Sequence, residues 1–160
     1  MGKGSPLYFV IVGDGQQRRE LEELTGRLGI AKNVVFMGHQ GNVLPLMSAM
    51  DIYAQPSRND GMGKTLVMAQ SLGLPIVASR VCGIPGTVED GGSAILVPPE
   101  NQHALAEAIL KVAGDVNLRA SMAQAGKRWV KRCDDGGHPA FSVEAMVARL
   151  ERLYLEPEAA

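Results

Sequence analysis

The chain has 160 residues, 46% of them hydrophobic and 21% charged, which suits one soluble domain with a genuine core. Its formal net charge of -1, from 16 basic and 17 acidic residues, leaves no electrostatic footprint for nucleic acid. Aromatic residues make up only 4%, which further disfavours a base-stacking platform. No apolar run approaches the length of a membrane span and the N-terminus is not a secretory signal, so the expected protein is cytoplasmic and not transmembrane. Cys82 and Cys133 lack any metal-ligand spacing and read as reduced thiols; no metal is expected.

Residues 1–6 are Gly/Ser-rich and read as a tag or linker. Leu7 to Val12 is a continuous apolar run, a strand stopped by Gly13-Asp14-Gly15. Residues 16–28 carry Leu21, Leu24 and Leu28 at the spacing of a helix with one buried stripe, ended by Gly29. Val34 to Met37 reads as a short strand closed by Gly38. Residues 43–50 read as a short helix with Pro45 in its first turn. Asp51 to Ala54 is the next strand, and Lys64 to Leu72 a helix terminated by Gly73 and Pro75. Strands follow at Ile76 to Ala78 and Ala94 to Val97. Asn101 can cap a helix that runs to Ala113. Residues 117–131 and Ser142 to Tyr154 are further helices around a polar break from Asp134 to Pro139, and residues 156–160 form a frayed tail.

Strands alternating with helices predict an α/β fold, a Rossmann-like doubly wound, mostly parallel sheet with helices on both faces. Ligands of such sheets bind beyond the carboxyl ends of the strands. The unusual residues cluster there: Gly13-Asp14-Gly15, Gly38-His39-Gln40-Gly41, Ser57 to Thr65, and Val81 to Gly86.

Gly61-Met62-Gly63-Lys64-Thr65 looks like the tail of a P-loop, yet the leading glycine of that motif is here Arg58. A Gly-rich turn opening a helix still offers backbone N–H groups and a positive helix end to an anion, with Lys64 and Thr65 as added donors. The same turn would also serve as a plain tight connection. Gly13-Asp14-Gly15 begins a dinucleotide fingerprint whose third glycine is Arg18, and a simple turn fits it equally well. Asp60 can accept hydrogen bonds from sugar hydroxyls or cap the following helix. His39 can act as a base or a ligand contact, while His103 and His138 read as solvated.

Taken in order, these segments resemble the C-terminal, donor-binding domain of glycosyltransferase family 4, which has the GT-B fold. The likeness rests on Val10-Ile11-Val12-Gly13-Asp14-Gly15, Val35-Phe36-Met37-Gly38, Asp51 to Ser57 and Asp60-Gly61-Met62-Gly63. It continues through Gly73 to Ser79, Gly83-Ile84-Pro85 and Gly91 to Pro98, and so covers residues 7–155 as one nucleotide-sugar-binding domain. It implies a retaining transferase that moves a sugar from a nucleotide diphosphate to an acceptor, the nucleotide sugar being substrate rather than cofactor. Asp60 would then contact sugar hydroxyls. Gly63, Lys64 and Thr65 would face the diphosphate, with Ser57, Gly61 and Met62 in the same loop. Gly13 would lie near the phosphates, and Gly38 with His39 near the base.

The family pattern places two glutamates eight positions apart where this sequence has Asp60 and Met68, so the ribose-binding acceptor is replaced by a thioether. Its G-x-P-E is here Gly83-Ile84-Pro85-Gly86. The resemblance also implies that a first strand–helix unit and an acceptor-binding N-terminal domain belong to a longer parent. On that reading this chain is a fragment inactive alone, peripheral to a membrane in the parent and able to self-associate. Two further readings stand beside it: a degenerate, non-catalytic binding module, and a P-loop-type phosphotransferase.

Overall fold

The computed structural model describes residues 6–133 and 137–155. Most of the expected tag or linker, the tail at 156–160 and the start of the polar break at Asp134 lie outside the described residues. The elements run β1 (Phe9–Val12), α1 (Arg18–Arg27), β2 (Val34–Gly38), α2 (Leu44–Ser48), β3 (Tyr53–Gln55), α3 (Lys64–Leu72) and β4 (Ile76–Ser79). They continue with α4 (Ile84–Thr87), β5 (Ala94–Val97), α5 (Gln102–Gly114), α6 (Val116–Lys131) and α7 (Val143–Leu155). Every paired strand is parallel, β1 with β2 in one sheet and β3–β4–β5 in another, as the helical crossovers require. The architecture is α/β and Rossmann-like. The chain divides into two compact units, one up to Leu46 and one from Met47.

In the first unit β1 pairs with β2 from Phe9↔Val34 to Val12↔Gly38, with one register shift before Val12. Gly13 N–H then donates to the Gly38 carbonyl at 2.8 Å, tying the two loops at the carboxyl ends of the strands. Arg18 reaches the Phe36 carbonyl at 3.4 Å and pairs with Asp14 and Glu22 at 3.4 and 2.8 Å. The sequence predicts a covered strand and a helix with one buried stripe, and the structure corrects both. Phe9, Val10 and Ile11 are each about 40% exposed, and no residue of α1 is buried. The reason is size: a two-stranded sheet has too little surface to cover its own apolar residues.

In the second unit β4 lies between β3 and β5, and all four of its residues are buried. Ile76, Val77 and Ala78 in a row, apolar with no alternation, are what a strand covered on both faces calls for. Val77 joins Val97, Ala108, Val112 and Met122 in a core completed by Ile52, Leu105, Ile109 and Leu118. The helix starts are set by side chains. Asn101 Oδ1 accepts the Ala104 N–H at 3.0 Å, and Asp115 Oδ1 accepts those of Asn117 and Leu118 at 2.9 Å. The second cap starts α6 at Val116, one residue ahead of the expected 117. His138, read as solvated, is partly buried.

A polar knot stitches α3, α4 and α6 together. Buried Gln70 donates from Nε2 to the Thr87 carbonyl at 3.0 Å and accepts from Ser93 Oγ at 2.9 Å. Trp129 Nε1 donates to the same carbonyl at 2.9 Å. Replacing Gln70 with leucine leaves the Ser93 hydroxyl proton without its acceptor in the core, although the oxygen still accepts the Glu89 N–H. The expected cost is about 1–3 kcal/mol of stability in the second unit, read from urea unfolding followed at Trp129.

Candidate functional site

The candidate site grows out of the carboxyl end of β3. Alternation along a strand puts Tyr53 and Gln55 on the same face, so both side chains can reach the chain that follows. Tyr53 Oη donates to Thr65 Oγ1 at 2.8 Å, in the first turn of α3, and lies 3.0 Å from Gln55 Oε1. Thr65 Oγ1 donates to Gln55 Oε1 at 3.1 Å. Gln55 Nε2 donates to Asp60 Oδ2 at 2.5 Å, and Ser57 Oγ approaches the same oxygen at 3.4 Å. Burial raises the Tyr53 phenol above its ordinary range, its bond with Thr65 lowers it, and the Asp60 charge raises it further. It therefore stays protonated and donates at neutral pH.

The Gly-rich turn lies between Asp60 and α3. Gly63 is the N-cap of α3 with φ of 64°, and no side chain caps that helix. Asp60, the cap the sequence offers for this helix, is held by Gln55 and Ser57 instead. The first turn of α3 thus carries backbone amides with no carboxylate upon them, beside exposed Lys64. Met68 follows one turn on, 38% exposed.

A second segment clamps the turn from its other side. Gly83 N–H donates to the Asp60 carbonyl at 3.3 Å, Thr87 Oγ1 to the Met62 carbonyl at 2.6 Å, and Cys82 Sγ to Asn59 Oδ1 at 3.1 Å. The approach is so close that a Cβ on Gly83 would lie 2.0 Å from the Gly61 carbonyl oxygen. Arg58, at the place of a P-loop's first glycine, points away to an exposed ion pair with Glu100 at 2.8 Å.

The structure thus brings together Ser57, Asp60, Gly61, Met62, Gly63, Lys64 and Thr65. Gly13, Gly38 and His39 belong to the first unit, where Gly38 is buried and His39 exposed. Thr65 is present but engaged, since its hydroxyl is bonded on both sides within the network. Sequence reasoning assigned no role to Tyr53, Gln55, Gly83 or Thr87. The signal for the first two is a phenol and an amide two residues apart; the strand is expected over Asp51 to Ala54, whereas β3 runs from Tyr53 to Gln55. A groove of about 600 Å³ lined by Val67, Ser71, Lys127, Val130, Lys131 and Phe141 lies elsewhere and includes none of these residues.

The profile of the family described as glycosyl transferases group 1 matches residues 2–129. The chain belongs to this glycosyl transferase family. Among its relatives, a lipopolysaccharide core biosynthesis glycosyltransferase of Rhizobium meliloti is 28% identical over 120 residues, 75% of this chain and 35% of that protein. An alpha-D-kanosaminyltransferase of Streptomyces kanamyceticus is 33% identical over 126 residues, 76% of this chain and 32% of that protein. The solved structure of Anabaena HepE in complex with UDP superposes with a TM-score of 0.78 at 25% identity, over 92% of this chain and 41% of that one. This group 1 glycosyl transferase chain therefore spans about a third of the length of the curated relatives it matches. Among the described residues no helix is long and apolar enough to cross a membrane.

Proposed function

We propose that residues 7–155 are the donor-binding domain of a retaining glycosyltransferase, which transfers a sugar from a nucleotide diphosphate to an acceptor. The observation that carries this reading is the seating of residues 60–65. Asp60 is held off the helix end, so the uncapped first turn of α3 is left for an anion. In this reading the diphosphate sits on the amides of Gly63, Lys64 and Thr65, with the Lys64 ammonium beside it. Asp60 takes sugar hydroxyls, steadied by Ser57, while Gly61 and Met62 form the floor of the turn. HepE, solved with UDP-glucose, supports a donor of this class.

The acceptor belongs to a further domain of a longer protein, and the chain alone is inactive in this reading. The nucleotide sugar is substrate, and the reading needs no resident metal or cofactor. It places the protein in the cytoplasm, with the parent peripheral to a membrane. Two copies associate through the exposed apolar residues of β1 and α1. A non-catalytic binding module is the second reading, favoured by Met68, which offers no charged acceptor where the family pattern has a glutamate. A P-loop phosphotransferase fits less well, because the Thr65 hydroxyl that would hold a metal is already bonded to Gln55.

Ligand-observed NMR with UDP, GDP, ADP and magnesium-ATP tests the choice. Selective binding of one nucleoside diphosphate is expected. Met68→Glu should tighten it about tenfold, the value of one hydrogen bond to a charged acceptor. Binding of magnesium-ATP alone would overturn the reading.

A further inference from the structure

Gln55 is 9% exposed and the one buried residue of β3, an edge strand, at a position that an apolar side chain would fill without penalty. A buried amide costs free energy unless each of its polar atoms is satisfied. Here they are: Nε2 bonds Asp60, while Oε1 accepts from Thr65 and lies within reach of Tyr53. One side chain thus links the end of β3, the carboxylate before the Gly-rich turn and the first turn of α3. Thr65 in turn accepts from Tyr53, so the donor–acceptor sense runs one way from phenol to carboxylate. Such a chain of bonds is stiffer than its separate links and tolerates only one orientation of the amide.

We propose that Gln55 is the positioning residue of the donor site. Its carboxamide fixes the Asp60 carboxylate and couples it to the N-terminus of α3, so that the sugar-contacting and phosphate-contacting groups move as one body. What Asp60 does for a ligand rests on the donor-site reading above; the coupling itself does not. A carboxylate acceptor facing an amide donor also predicts an unusual pattern of substitutions. Gln55→Leu removes the link. Gln55→Glu sets two carboxylates against each other. Gln55→Glu combined with Asp60→Asn rebuilds the same bond with its sense reversed. The carboxylate introduced on β3 can then accept from the amide introduced in the turn, and from Thr65 and Tyr53 as well.

The test uses the 160-residue chain and follows amide hydrogen exchange alongside binding of the nucleoside diphosphates UDP, GDP and ADP. Each single change at Gln55 is expected to speed exchange across residues 57–65 by about tenfold, with β4 and β5 unchanged. The double variant should return that exchange close to the parent value while donor binding stays weak, since its turn no longer offers a carboxylate to sugar hydroxyls. A residue that merely fills space would give Gln55→Leu the mildest effect and no rescue. Parent-like exchange in Gln55→Leu, or a double variant no better than Gln55→Glu, would overturn the proposal. Should the parent chain bind none of the three while the exchange pattern holds, the donor-site reading falls and the positioning role stands.

Discussion

Alanine at position 83 is expected to weaken nucleoside-diphosphate binding by about tenfold to a hundredfold, the equivalent of the 1–3 kcal/mol that overpacking a tight contact costs. The backbone of Gly83 is ordinary for any residue, with φ of −82°, so the requirement is for space alone. A methyl group there meets the Gly61 carbonyl oxygen at 2.0 Å and its carbon at 2.8 Å. Both are backbone atoms, which no rotamer change can move. Relief must come from separating the 81–87 segment from the turn, and this breaks the bonds from Gly83 to Asp60 and from Thr87 to Met62. Isothermal calorimetry of the variant against the nucleoside diphosphate selected by the parent reads the loss directly. Unchanged affinity would mean that the position of the turn is irrelevant to the ligand.

Gly63→Asp should abolish that binding, and Gly63→Ala separates the causes. Both introduce a Cβ at φ of 64°, 2.7 Å from Leu66 Cδ1 and 3.2 Å from Gln55 Nε2. The left-handed backbone costs about 1–2 kcal/mol for alanine and less for aspartate, and the Leu66 methyl can give way. Alanine is therefore expected to weaken binding about tenfold. Aspartate adds a carboxylate at the helix N-terminus, where it satisfies the amides that the diphosphate would use. The helix gains from that charge while the ligand loses its seat. Comparing the two affinities by NMR titration isolates the electrostatic part. Equal effects from alanine and aspartate would place the phosphates away from α3.

Much of this organisation was legible because the chain is punctuated strongly. Gly73 and Pro75 end α3, Asn101 starts α5, and the apolar runs at Ile76 and Ala94 are too short for helices and read as buried strands. The four-residue α4 escaped notice because one turn holds no period to detect. The loop 57–65 stood out through its glycines, so the anion reading could be drawn from spacing. Its support could not. Whether Gln55 turns its amide to Asp60 depends on the path of residues 56–60, which no local pattern specifies. The same holds for Gly83, whose partner Gly61 lies far back along the chain.

The first unit has one further consequence. Among its described residues only Gly38, which has no side chain, is buried, whereas the second unit holds a continuous core. Cooperativity in unfolding comes from shared burial, and here almost all of it lies beyond Met47. Heat or denaturant therefore acts on two populations of structure with different resistance, and a single midpoint for the whole chain has no thermodynamic meaning. The midpoint seen at Trp129 belongs to the second unit. A probe on β1 would report a shallower, earlier transition.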